Sequence, residues 1–412
     1  MSKLNTLIVV GLSAVFNVPT SYAKPPLIVT VTDLGVGPGG TTAVAQAINR
    51  SGLVIGYGDG SNPAIQYSII WNRGVAVDLP LPYATDTWSE VLGFNDSGQI
   101  VGGSAVNGNF DFDPTAPPPH PVIWEDYNVN VLALPSGAST GFAWAINKKG
   151  LIAGNAGVLA LPSAISHVVT WTKDFPAYLG TLPGNTYEVP YAMNAKGTIV
   201  GKSGNFATTT YAALWANGVA TNLGGLPGGT FSETHSINDG GQVVGFGDVP
   251  IGCCHAILWT GNAMTDLGTL PGGTYSVPAT YWSQLARDQN STGQIVGEAD
   301  ASDGNAHAVT WLKGVIKDLG TLPNGTNSTA AGINENGWIV GRSDGTASVS
   351  GYHHAVLWAC GRIIDLGTLP GGSYSNAYAI NDDGEIVGYG DSVGPGGVAH
   401  ALMWDTKLLK CK

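Results

Sequence analysis

Six of the eight histidines stand at one place in a repeating phrase. His120, His167, His255, His307, His354 and His400 each open a stretch that ends four residues later in Trp. Histidine is a metal ligand and a general base, so a repeated histidine invites both readings. A shared metal needs its ligand nitrogens about 2 Å from one ion. If each phrase is the third strand of a separate sheet, strand spacings of about 4.8 Å set equivalent histidines on the order of 10 Å apart. Neither a metal site nor a cofactor is expected. Five units place an aspartate three residues after a glycine: Asp59, Asp248, Asp300, Asp344 and Asp391. Four of these precede a phrase histidine, giving the pairs Asp248/His255, Asp300/His307, Asp344/His354 and Asp391/His400. A His–Asp pair orients the base of a catalytic triad, but no Ser or Cys nucleophile accompanies these, and four equal copies describe structure. Each Asp is expected to accept a hydrogen bond from its His and tie down a loop, and no catalytic residue is assigned.

Carboxylates offer less. There are seven glutamates, and those outside the repeat pattern, Glu90, Glu188, Glu233 and Glu298, form no motif. A polysaccharide hydrolase or lyase would need two acids close together near an axis. Aromatic residues offer more. Trp88, Tyr187, Phe231 and Tyr374 lie seven residues before a repeat Asn, and Tyr275 is their counterpart in a longer unit. That unit carries "SVPATYWSQLARDQN" (Ser276–Asn290), which adds eight residues to what reads as a crossing segment and brings Tyr281 and Trp282. A second insertion, Ala105–Pro121, brings Phe110, Asp111 and Asp113, too few oxygen ligands for a calcium loop. These seven aromatics are the candidate ligand-binding residues. The competing reading is that the rings pack beneath their own loops.

The elements that must position them repeat eight times. Each unit has an "N-x-x-G", starting at Asn49, Asn95, Asn147, Asn194, Asn238, Asn290, Asn334 or Asn381, between two apolar segments. That is a hairpin signal. A Trp follows in every unit, and successive Trp residues are mostly 44 to 47 positions apart, the length of a four-stranded blade. Strands a and b flank the Asn turn, strand c ends in the Trp, and strand d reads like "RIIDLG" before a Pro-Gly turn. The fold class expected is all-β, a β-propeller of eight four-stranded blades. "IVTVTDLG" (Ile28–Gly35) is a d strand with no a, b or c before it, so the N-terminal strand is expected to complete the last blade. The b–c loops and crossing loops would then share one face.

At these residues the chain resembles the HAF-repeat family of exported bacterial proteins. The resemblance rests on "HAILW" (His255), "HAVTW" (His307), "HAVLW" (His354) and "HALMW" (His400), with "DLGTLPGG" and "IN-x-x-G-x-IVG" around them. It departs at "HPVIW" (His120), at "HVVTW" (His167), and at Tyr67 and Tyr211, which replace the histidine. The resemblance implies location and repeat type and carries no catalytic residue or cofactor.

Composition narrows the partners. Only 11% of residues are charged, the formal net charge is -12, and no run of Lys or Arg occurs, which argues against nucleic acid and anionic membrane surfaces. Lys3, the apolar Leu7–Phe16 and the small-residue "SYA" (Ser21–Ala23) read as a cleavable export signal, residues 1–23. Residues 24–412 then form a single soluble domain without membrane insertion, expected to be monomeric. Cys253, Cys254, Cys360 and Cys411 permit three disulfide pairings, and a bond between the adjacent Cys253 and Cys254 is disfavoured by ring strain. The function expected is a secreted or periplasmic non-enzymatic protein that binds a glycan or protein on its long-loop face. The alternatives are an extracytoplasmic polysaccharide hydrolase or lyase, and a structural envelope or matrix component.

Overall fold

The computed structural model describes residues 29–406, except 61, 63, 107–117, 159–164, 174, 206–208, 251–252, 280–284, 286–287, 346–351 and 393–396. The "N-x-x-G" phrase forms its hairpin, and its Asn does two jobs there. Asn49 Oδ1 accepts the N–H groups of Ser51 and Leu53 at 3.0 and 2.9 Å, while Gly52 takes a φ of 82° to close the turn. Its Nδ2 donates to the carbonyl of Asn95, one unit further on. The same bond joins Asn95 to Asn147, Asn194 to Asn238, Asn238 to Asn290, Asn290 to Asn334 and Asn334 to Asn381. Asn381 donates to Asn49, so the last unit is tied back to the first.

In the first unit the strands are a (Ala43–Ile48), b (Val54–Asp59), c (Gln66–Asn72) and d (Val75–Asp78), an antiparallel meander. The glycine of strand b has a steric cause. A Cβ on Gly56, or on its equivalents from Gly102 to Gly388, would stand 1.9–2.1 Å from a strand-a carbonyl oxygen. Any side chain there would push the two inner strands apart.

The strands fall into six sheets, four of four strands and two of eight, rather than the eight separate sheets expected. Each eight-stranded sheet is two meanders joined by one parallel bridge, Gln66 with Trp88 in one and Ser166 with Tyr187 in the other. The cause is local, because the start of strand c reaches the start of the next strand a. The N-terminal strand Thr30–Gly35 pairs antiparallel with strand c of the last unit, Ala399–Asp405. Among the described residues there is no α-helix, and no helix long and apolar enough to cross a membrane.

The core is a set of slabs between neighbouring units. Leu402 and Trp404 of the last unit, for example, pack with Val340, Ala355 and Leu357 of the one before. All eight repeat Trp residues are between 0 and 5% exposed. Four of them, Trp124, Trp171, Trp215 and Trp259, donate Nε1 to a carbonyl of the preceding unit. Every repeat Trp therefore fills a slab, and these four also help fix the angle at which their unit docks on the one before.

Candidate functional site

The Asp–His pairs expected from sequence do not form. Nδ1 of His255, His307, His354 and His400 lies 2.8–2.9 Å from Asp266, Asp318, Asp365 and Asp33, all on strand d. Ile257 and Asp266 are opposite each other across strands c and d, which makes His255 the diagonal neighbour of Asp266 on one face of the hairpin. In the last unit the partner Asp33 comes from the N-terminal strand. The aspartates named as partners clamp the crossing segment instead. Asp248 accepts from the N–H groups of Thr230 and Phe231, and Asp59, Asp300, Asp344 and Asp391 repeat this with Thr41 and Thr42, Thr274 and Tyr275, Thr326 and Asn327, and Ser373 and Tyr374. Both devices are structural, with the partners exchanged. Cys253 and Cys254 are joined by a disulfide, against the expectation from ring strain, and Cys360 is disulfide-bonded as well.

The candidate aromatics separate. Trp88 is buried with Leu92, Ala105 and Phe142 and belongs to the core. Phe231 packs on Phe246, ring centroids 5.7 Å apart. Tyr187 and Tyr275 are half-buried at the start of their inner strands. Tyr374 lies between Tyr352 and Tyr389, at 6.2 and 6.0 Å. Tyr281, Trp282, Phe110, Asp111 and Asp113 fall outside the described residues. The Ser276–Asn290 insertion does not lengthen the crossing segment. Ser276, Val277 and Pro278 already pair with Ala299, Glu298 and Gly297 as an inner strand, and Gln289 pairs with Ile295. The extra residues interrupt the innermost strand, and Leu285 among them packs with the core of the first units.

The structure instead gathers polar and aromatic side chains in a girdle around the axis. They come from strand a, three and five residues before the repeat Asn, and from the residue after the strand-b glycine. Glu90 and Glu233 hold the same strand-a position in different units. Glu233 accepts from Lys202 at 3.0 Å and lies 2.9 Å from His235 Nε2. Burial pushes its carboxyl up, but the His235 hydrogen bond and the Lys202 charge outweigh this and hold it at about 2. Burial alone raises Glu90 to about 7. His235 stacks on Tyr191 at 5.1 Å, Tyr191 meets Trp144 at 5.5 Å, and Trp144 donates to Asn155. Glu298 accepts from Thr329 of the next unit. Glu188 points elsewhere, buried between units within 3.4 Å of His167 Nδ1. The signal was present in the sequence as a fixed offset from the repeat Asn, but an offset does not reveal which way the side chain points.

Below the girdle, toward the a–b turns, lies an axial cavity of about 410 Å³ lined by the Asn ring and the residues beside it, among them Arg50, Asp96, Lys148, Asp239 and Leu285. Its polar atoms serve the ring. Asp96 and Asp239 accept the N–H groups of Arg50 and Ala195, and Arg50 pairs with Asp382.

No family model matches the chain, and no curated protein matches it. Solved structures do. A prolyl endopeptidase, one of two studied for inter-domain dynamics in catalysis and specificity, matches at TM-score 0.52 and 9% identity, over 86% of this chain and 54% of its own. A puromycin hydrolase matches at TM-score 0.50 and 12% identity, over 87% of this chain and 60% of its own. The β-propeller domain of the Trilobed protease from Pyrococcus furiosus matches at TM-score 0.44 and 8% identity, over 80% of this chain and 98% of that domain. The chain thus spans just over half the length of the first two proteins. At these identities the likeness establishes a fold, all-β and propeller-like. It counts against the expected non-enzymatic binding or surface-interaction protein, because the two matches above at TM-score 0.50 or more are named as a prolyl endopeptidase and a puromycin hydrolase. That expectation is set aside.

Proposed function

We propose that the chain is an extracytoplasmic hydrolase that cleaves glycosidic bonds at the axial girdle, with Glu90 and Glu233 as the candidate carboxyls. The observation that carries this reading is the contrast between two glutamates at one strand-a position: Glu233 is bonded to Lys202 at 3.0 Å and to His235 at 2.9 Å, whereas Glu90 is half-buried and its carboxyl is raised by burial. Two carboxyls whose surroundings drive their pKa values apart can divide acid and base work between them. Glu90, at about 7, keeps its proton in neutral and mildly acidic water and can give it to a leaving oxygen. Glu233, at about 2, is charged throughout that range and can stabilise the positive charge that develops at the sugar carbon. His235 is committed to Glu233 and stacked on Tyr191, so it is not placed to activate a serine, and this favours an acetal over an amide substrate. The prolyl endopeptidase and the puromycin hydrolase that share the fold support hydrolysis, though not the acetal bond.

On this reading the eight meanders are eight blades, closed by the N-terminal strand in the last one. The support is the pairing of Thr30–Gly35 with Ala399–Asp405 and the bond from Asn381 to Asn49. Export through residues 1–23 and membership of the HAF-repeat family complete the proposal. The experiment is reducing-end release from a panel of soluble polysaccharides by wild type, Glu90→Gln and Glu233→Gln. Each variant is expected to lose about 100-fold or more. Activity should form a bell between pH about 2 and about 7, lost on the alkaline side as Glu90 gives up its proton. Release that survives in both variants would remove the assignment.

A further inference from the structure

Five half-buried tyrosines run from the long-loop face to the girdle. Tyr352 and Tyr374 stack at 6.2 Å with 14° between their planes. Tyr374 meets Tyr389 edge-on at 6.0 Å, and Tyr389 stacks on Tyr378 at 5.5 Å. Tyr57 of the first unit is close enough to feel the charge of both Tyr389 and Glu90. Tyr352 precedes strand c of one unit, Tyr374 lies on the crossing segment of the next, and Tyr389 and Tyr378 sit on the inner two strands of that unit. The row is therefore radial. It begins at a loop and ends beside the protonated glutamate.

We infer that this row is the substrate track, and that it takes an uncharged polysaccharide chain. The inference rests on the hydrolase reading and names its substrate class. A tyrosine ring offers an apolar face and a hydroxyl edge, and a pyranose offers a C–H face and a hydroxyl rim, so the two match on both counts. Several rings at 5.5–6.2 Å intervals suit a polymer better than a single small molecule. The charges along the row favour a neutral chain. Arg342 lies near Tyr378, but Asp391 accepts hydrogen bonds beside Tyr374, and the chain as a whole carries -12. One guanidinium among acids does not collect a polyanion. His353 lies against Tyr374 at 6.2 Å, is held neutral at about 4 by burial and by Arg342, and adds no positive charge at neutral pH.

The test is isothermal titration of the full mature chain, 24–412, with cellohexaose, xylohexaose, mannohexaose and, as the charged arm, a hexagalacturonate. Wild type is expected to bind one of the neutral hexasaccharides. Tyr374→Ala and Tyr389→Ala should weaken it by about three- to tenfold each, Tyr374→Phe should largely retain it, and Tyr127→Ala, on the exposed c–d turn of the second unit and away from the row, should leave it unchanged. Thermal melts of the variants separate lost binding from lost folding. No binding of any neutral sugar, equal affinity in Tyr374→Ala and Tyr127→Ala, or preference for the galacturonate would each overturn the inference. Reducing-end release is read separately. Binding through the tyrosines without cleavage leaves the track standing and removes the hydrolase, whereas cleavage that ignores Tyr374→Ala does the reverse.

Discussion

The two halves of the ring treat the same strand-c position differently. In the last four units a His meets an Asp across strands c and d: His255–Asp266, His307–Asp318, His354–Asp365 and His400–Asp33. In the first four units the clasp is missing. Tyr67 stands where the His would be and Asp78 has lost its partner, Val131 faces the His120 strand, His167 meets the ring of Tyr178 at 6.2 Å, and Tyr211 is matched with Asn222. The carboxyls record the change. His354 holds Asp365 below its usual value against the upward push of burial, while burial and the nearby Asp59 lift Asp78 to about 6. The regular half is built by repetition. The irregular half keeps the shape through the Asn ring and the buried Trp residues, and it carries Glu90, Tyr191 and Lys202.

If slabs and ring hold both halves, Trp removal should be costly in either. Trp215→Ala and Trp404→Ala should each lose about 3–5 kcal/mol in urea unfolding, and a much smaller loss in the first half would break the comparison. Glu90→Gln should stabilise. A carboxyl raised from 4.5 to about 7 is protonated in both states at pH 4 and costs nothing there; the penalty grows as pH rises from 4.5 to about 7, where the unfolded chain has lost the proton and the fold has not, and it levels off above. The gain should approach about 3 kcal/mol at pH 8 and vanish at pH 4, as read by denaturation at the two pH values.

Breaking the clasp should cost less. Asp365→Ala is expected to lose about 1 kcal/mol. His354 is raised, so its share is full below 6.5 and fades as pH rises past its folded value. Asp365 is lowered, so its share is present above 3.8 and fades as pH falls. The loss should therefore be largest between about pH 4 and 6.5, and a flat profile would deny the pair. Asp33→Ala should in addition raise hydrogen exchange in the N-terminal strand. The smallest effect sharpens the contrast. Tyr67→His should supply the missing partner to Asp78 and stabilise by about 0.5–1 kcal/mol, within the same pH window.

Much of the fold was legible before any coordinates, because its causes are local. Asn49 and Gly52 write a turn into four residues, and the Trp spacing sets the length of a unit. The girdle was not legible for the opposite reason. Glu90 and Glu233 are 143 positions apart in a chain of 412, and only the packing of one unit on the next decides what each of them meets. The partners of the histidines failed in the same way, since the Asp that follows the strand-b glycine holds the crossing segment and the true partner lies across the hairpin. The insertion was misplaced because counting residues locates extra length but not the strand that it interrupts.

The sequence by itself determined the element order, the turn chemistry, the buried Trp in every unit and the scarcity of charge, all of which depend on a residue and its near neighbours. Tertiary structure alone decided which Asp meets which His, that Cys253 bonds Cys254, and that one glutamate is half-buried with its carboxyl raised while its equivalent is held by Lys202 and His235. A side chain's protonation depends on what stands within a few ångströms of it, and for Glu233 those neighbours are His235 on its own strand and Lys202 of the preceding unit.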